Sequence, residues 1–163
     1  MIDRTLVLVK PDGVSRALVG EVISRFERRG LKIVGMKMIW PNTEFAMKHY
    51  GEDISKKHGV SVRERLLGYI TEGPVVALVV EGVGAVSIVR KITGSTYPDE
   101  APLGTIRGDF AHISKEYATS NGKDVRNLVH ASGSKGEAAF EVGLWFSDSE
   151  LFKYELADER HVR

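Results

Sequence analysis

Between Gly73-Pro74 and Glu81 the chain runs Val75-Val76-Ala77-Leu78-Val79-Val80 without a polar side chain. A strand sends alternate side chains to opposite faces, so such a run reads as a fully buried strand rather than a half-solvated one. A second apolar run, residues 5–9, is closed by the turn chemistry of Lys10-Pro11-Asp12-Gly13. Residues 15–29 are expected to be helical, because Val19, Val22, Ile23 and Phe26 recur on one face, with Gly30 as the stop. Residues 31–40 read as a strand closed by Pro41. Asn42 or Thr43 caps a short helix reaching Tyr50, residues 51–59 read as polar and looser, and the capping box Ser61-Val62-Arg63-Glu64 opens a helix through Ile70.

Beyond the buried run, residues 84–93 form a helix with Val86, Val89 and Ile92 inward. Residues 94–110 read as a long Gly- and Pro-rich loop of the kind that carries function. Residues 111–126 show no pattern that places them. Residues 128–130 form a short strand, and a second capping box, Ser134-Lys135-Gly136-Glu137, opens a helix reaching Phe146. The tail, residues 147–163, is polar and is expected to wrap the surface. This order predicts an α+β fold, a ferredoxin-like βαββαβ sandwich: an antiparallel sheet with helices on one face plus inserted helices. With no repeat or linker, residues 1–163 are expected to form a single domain.

Bulk properties exclude several classes. The 163 residues carry 23 Lys and Arg against 22 Asp and Glu, a net charge of +1, so no strong field favours nucleic acid or a membrane surface. Cysteine is absent, which removes disulfides, thiolate metal sites and a cysteine nucleophile. Met1-Ile2-Asp3-Arg4 runs straight into a strand pattern without a secretory leader, and no apolar run approaches the ~20 residues that span a bilayer. A cytoplasmic location is therefore expected.

The chemistry is sought first at Asn127-Leu128-Val129-His130-Ala131-Ser132-Gly133-Ser134. A lone histidine is more often satisfied by its neighbours than reactive. Here, however, small residues leave room around the ring, and the following helix start offers backbone N–H groups suited to an anion. Glu141 lies in the otherwise apolar stretch 138–146 and needs a partner if buried. Ser132, Ser134 and His130 are the candidates, and a carboxylate on the imidazole would hold its tautomer. Lys10, Arg90 and Arg107 are the cations suited to phosphate. Other motifs fail. Gly82-Val83-Gly84 lacks the third glycine of a dinucleotide fingerprint, no P-loop exists, His49 and His58 lack metal spacing, and His112 and His161 have no supporting context.

Four segments, Val9-Lys10-Pro11-Asp12-Gly13-Val14, Gly73-Pro74-Val75-Val76-Ala77, Gly104-Thr105-Ile106-Arg107-Gly108-Asp109-Phe110 and Asn127-Leu128-Val129-His130-Ala131-Ser132, resemble the nucleoside diphosphate kinase family in its own order. The resemblance implies transfer of the γ-phosphoryl of a nucleoside triphosphate, mainly ATP, to a nucleoside diphosphate. The mechanism it implies is ping-pong, through a phosphohistidine on His130. It places His130, Glu141 and Lys10 in catalysis, and Lys10, Tyr50, Arg90, Thr96, Arg107 and Asn127 on the nucleotide. Mg²⁺ is implied as bound mainly through the nucleotide phosphates, with no metal-ligating residue in the chain. The expected partners are ATP and other nucleoside di- and triphosphates. A homo-oligomer, hexamer or tetramer, is also expected, without membrane or specific nucleic acid.

Three departures stand out. Gly133 replaces the aspartate that the family often carries there, and Val62 falls where the family stacks an aromatic on the base. The segment before Asn127 is longer than in many relatives.

Overall fold

The structure is a computed structural model and describes residues 1–157 and 159–162. The elements in chain order are β1 (Ile2–Val9), α1 (Pro11–Ser15), α2 (Val19–Glu27), β2 (Lys32–Ile39), α3 (Thr43–His49), α4 (Glu52–His58), α5 (Val60–Thr71), β3 (Val75–Val83), α6 (Ala85–Thr93), a 3₁₀ turn (Pro98–Glu100), α7 (Ile106–Phe110), α8 (Lys115–Ser120), β4 (Val129–Ala131), α9 (Lys135–Trp145), a second 3₁₀ turn (Asp148–Glu150) and α10 (Glu159–Val162).

The four strands form one sheet in the order β2-β3-β1-β4, with every neighbouring pair antiparallel. That is the expected ferredoxin-like α+β arrangement. The central strands are apolar over residues 6–9 and 75–80, where both faces are covered. Val7, Val9, Val76, Leu78 and Val80 pack with Val22 and Phe26 of α2 and Val89 of α6. On the other face Leu6, Leu8, Val75, Ala77 and Val79 pack with Ala46 of α3, Ile70 of α5 and Trp145 of α9. A bulge between Ile33 and Gly35 then shifts the phase of the edge strand β2.

Several local expectations change. The helix expected over residues 15–29 is two helices: α1 starts at Pro11, whose fixed φ suits a first turn, and Ala17, at φ 57, breaks the chain before α2. Residues 51–59 are not loose but form α4, with Glu52 and Asp53 in its first turn and Lys56, Lys57 and His58 in its last, complementing the helix dipole. The Ser61–Glu64 capping box does not form, since α5 already starts at Val60 after Gly59 at φ 95. The loop over residues 94–110 contains the 3₁₀ turn at Pro98 and the short helix α7.

Residues 111–126, unplaced from sequence, contain α8, capped by Ser114. They are strapped to α5 by the Arg65–Asp124 ion pair at 3.4 Å and by the Arg126 guanidinium on the Glu72 carboxylate. The tail does lie along the surface. Phe152 N–H donates to the Val34 carbonyl at 2.8 Å, and the Tyr154 hydroxyl donates to the Ile33 carbonyl at 2.6 Å. Residues 158 and 163 of this tail lie outside the described residues.

Candidate functional site

Four chain segments meet at the end of β1. Strand β4 pairs with it, Leu8 opposite His130, so the residue that follows Val9 and the residues that precede Val129 emerge side by side. Lys10 N–H donates to the Leu128 carbonyl at 2.8 Å, and Leu128 N–H donates to the Asp12 carboxylate at 3.1 Å. A Cβ on Gly13 would come within 3.0 Å of the Leu128 carbonyl oxygen, so the glycine permits this close approach. Leu128, buried, takes a left-handed φ of 67, which turns the chain into β4.

Asn127 is the junction. Its side-chain oxygen accepts from Lys10 Nζ, its side-chain nitrogen donates to the Thr96 carbonyl at 2.8 Å, and its carbonyl accepts from Arg107 Nε at 3.1 Å. Arg107 also donates to the carbonyls of Gly94 (3.0 Å), Ser95 (3.1 Å) and Val129 (2.6 Å). Four of its five N–H donors are thus spent on backbone, and the guanidinium acts as a clamp as well as a charge. Arg90 lies at the loop after His130, its nearest nitrogen 3.8 Å from where a Gly133 Cβ would stand. Burial first, and then the charge of Arg90, push the Arg107 pKa down to about 10. Burial pushes Lys10 down to about 7.

His130 Nε2 lies 2.9 Å and 3.0 Å from the two carboxylate oxygens of Glu141, and the Ser132 hydroxyl donates to the same carboxylate at 2.6 Å. The partner of Glu141 is therefore His130 with Ser132, not Ser134. Ser134 instead caps α9 by accepting from Glu137 N–H at 3.2 Å. Glu137 closes the helix start from the other side, accepting from Gly133 N–H at 2.5 Å. The helix start expected to attract an anion already holds a carboxylate. That carboxylate also fills the place of a residue-133 side chain, because a Cβ there would lie 2.5 Å from Glu137 Oε2.

Burial works to raise the Glu141 pKa. The hydrogen bond and charge of His130, with help from His49 and Ser132, outweigh it and hold the carboxyl below its usual range. A proton shared with this carboxylate sits on His130 Nε2, which leaves Nδ1 with a lone pair.

Sequence spacing dismisses His49 as a metal ligand with His58 and gives no signal that it belongs to this site. It arrives from α3 with its side chain fully buried, stacked edge-on against His130 at 4.8 Å between centroids. Trp145 Nε1 donates to its Nδ1 at 3.3 Å, and burial drives its pKa down to about 3, so the ring is neutral. Tyr50 is buried beside it, at 4.6 Å between centroids; burial and the Glu141 charge raise its phenol pKa. His49, His130 and Glu141 form a cluster whose nearest donor atoms lie within 4.8 Å of one another. Within it His130 Nε2 is committed to the carboxylate and His49 Nδ1 to Trp145, while the buried His49 Nε2 meets no hydrogen-bond partner. A cleft of about 360 Å³ opens on these groups, lined also by Lys48, Ile54 and Phe140.

Residues 3–151 match the model of the nucleoside diphosphate kinase family. The chain belongs to the nucleoside diphosphate kinase family. It is an enzyme of the phosphotransferase class, as its curated relatives are. A nucleoside diphosphate kinase from Archaeoglobus fulgidus is 52% identical over 159 residues, covering 97% of this chain and 95% of the relative. Among solved structures, the nucleoside diphosphate kinase of Borrelia burgdorferi, with bound vanadate and ADP as a transition-state mimic, superposes with a TM-score of 0.96 at 43% identity. That match covers 99% of this chain and 96% of the other. A halophilic nucleoside diphosphate kinase from Halobacterium salinarum, in complex with CDP, gives a TM-score of 0.85 at 36% identity, covering 100% and 99%. No helix among the described residues is long and apolar enough to cross a membrane.

Proposed function

We propose that this nucleoside diphosphate kinase family member moves the γ-phosphoryl of a nucleoside triphosphate, mainly ATP, onto a nucleoside diphosphate by ping-pong, with His130 as the carrier. The observation that carries the reading is the Glu141 carboxylate on His130 Nε2, which frees Nδ1 as the nucleophile. In the first half-reaction the Nδ1 lone pair forms the P–N bond as the bond to the β-phosphate oxygen breaks, and the diphosphate leaves. The ring is then cationic at its Nε2–H side, where Glu141 neutralises it. In the second half-reaction an oxygen of the acceptor's terminal phosphate attacks phosphorus, and the electron pair returns to Nδ1.

A phosphoryl group in flight spreads charge over its oxygens, so positioning and positive potential do most of the work. Lys10, Arg90 and the remaining N–H of Arg107 supply the potential. Tyr50, Thr96 and Asn127 are assigned to nucleotide phosphate and sugar, and Asn127 already fixes the Lys10 ammonium and the Thr96 backbone. The ADP and CDP bound by the two related enzymes support this substrate class. Mg²⁺ is assigned to the nucleotide rather than to the chain. Glu141 is committed to His130 and one oxygen of Asp12 to Leu128 N–H, and Lys10, Arg90 and Arg107 are the cations assigned to phosphate. Bound there, the ion screens phosphate charge.

Residues 1–163 are proposed to form one domain that assembles with further copies of itself, as a hexamer or tetramer in the cytoplasm. Met36 and Met38 on the edge strand and Trp40 just beyond it are 60%, 59% and 67% exposed, an apolar row suited to burial between copies.

Incubation with γ-labelled ATP tests the reading. Wild type should carry acid-labile label that any nucleoside diphosphate chases off, and His130→Ala should take up none while keeping its fold. Wild-type turnover by that variant would overturn the mechanism.

A further inference from the structure

Tyr69 belongs to no part of the site described above, yet its ring carries two cations. Lys10 Nζ stands 4.2 Å from the ring centroid and the Arg126 guanidinium carbon 4.4 Å from it. The ring is buried in the last turn of α5, as is the Lys10 side chain at the end of β1. We propose that Tyr69 is a positioning residue for phosphoryl transfer: the face of its ring holds the Lys10 ammonium charged and aimed at the phosphate site before nucleotide arrives. The proposal rests on the phosphoryl-transfer reading and deepens it.

A buried ammonium is costly unless something replaces its water. One N–H of Lys10 meets the Asn127 amide oxygen. Asp12 attracts the ammonium, and Asp124 does so more weakly, whereas Arg107 and Arg126 repel it. The ring face adds attraction without an anion. This matters because a carboxylate bonded to Lys10 would compete with phosphate for it, whereas an aromatic face leaves the other N–H groups to the ligand. Arg126 does not cancel the effect, since the Glu72 carboxylate grips it, one bond at 2.8 Å, and offsets its charge. Burial and the Asp12 carboxylate beside it keep the Tyr69 phenol protonated, so the ring acts through its face and not as an anion.

The test is a titration of ¹⁵N-labelled Lys10 Nζ by NMR, in parallel with kcat/KM against pH. Tyr69→Phe keeps the ring and should leave both curves in place. A trifluorinated phenylalanine incorporated at position 69 keeps the shape but weakens the ring face. It should lower the Lys10 titration point by about one pH unit and move the alkaline limb of kcat/KM down with it. Tyr69→Leu should do at least as much, and because the fluorinated ring conserves volume, the comparison survives if that variant folds poorly. An unmoved Lys10 titration in the fluorinated protein, or an equal shift in Tyr69→Phe, overturns the proposal. A Lys10 titration that moves while the kinetic limb stays would uphold the ring's hold on Lys10 and instead refute the place of Lys10 in transfer.

Discussion

The two oxygens of Glu141 lie 2.9 Å and 3.0 Å from a single nitrogen of His130, on a carboxylate that Ser132 also grips at 2.6 Å. This contact makes one tautomer of the imidazole dominant and determines which nitrogen can react. Glu141→Gln keeps the shape and loses the charge. Transfer should fall roughly 10- to 100-fold, the worth of a charge-assisted hydrogen bond at about 1.5–3 kcal/mol, with the thermal midpoint little changed. Rapid-quench measurement of protein labelling separates this from a binding defect. An unaltered labelling rate would show that Glu141 only anchors α9.

Lys10 should oppose stability where it serves function. Its pKa is lowered to about 7 by burial, so between about pH 7 and its unfolded value the unfolded chain binds the extra proton and stability rises with pH. Below that window the cost of the buried charge is fully present. Lys10→Met should abolish transfer yet stabilise the protein at mildly acid pH by about 1–4 kcal/mol, the range seen when buried ions are replaced by apolar groups. Urea melts of both proteins at that pH check the sign.

His49 gives the same sign in a lower pH window. Folded, it stays neutral down to about pH 3; unfolded, it takes up a proton below its ordinary value near 6.5. Stability should therefore fall with acidification through this window, by up to about 1.4 kcal/mol per pH unit from this group. His49→Gln should flatten the slope. A slope identical in the two proteins would mean that His49 titrates normally in the fold.

Gly133 and Glu137 should be coupled. Gly133→Asp puts a Cβ 2.5 Å from Glu137 Oε2, with a second carboxylate behind it. The single variant should lose about 0.5–1.5 kcal/mol of stability, the net worth of the Glu137 hydrogen bond it displaces, and adding Glu137→Ala should cost little more. A double-mutant cycle reads the coupling; additive losses would refute it.

Arg107 should be sensitive to the most conservative change. Its fork meets the carbonyls of Gly94, Ser95, Asn127 and Val129, a geometry an ammonium cannot reproduce. Arg107→Lys should lose about 1–3 kcal/mol of stability and at least about tenfold in turnover. Chemical denaturation and steady-state kinetics measure the two losses separately.

The exposed row Met36, Met38 and Trp40 offers a test of assembly. Met38→Lys should shift the protein to smaller species in sedimentation velocity while leaving the monomer fold intact by circular dichroism.

What the sequence determined by itself was local. The unbroken run at residues 75–80, the face of α2, a cap at Asn42 or Thr43 and the Ser134 cap can be read because each depends on side chains within a turn or two of backbone. Three of the motif segments also named Lys10, Arg107 and Asn127, which the fold brings together. Tertiary structure decided the pairings. His130 rather than Ser134 holds Glu141, His49 and Tyr69 enter from helices that no pattern tied to the site, and the 111–126 segment is strapped to α5. Each of these contacts depends on strand order, register or close packing between elements. The antiparallel pairing of β4 on β1 is what brings Lys10 to Asn127.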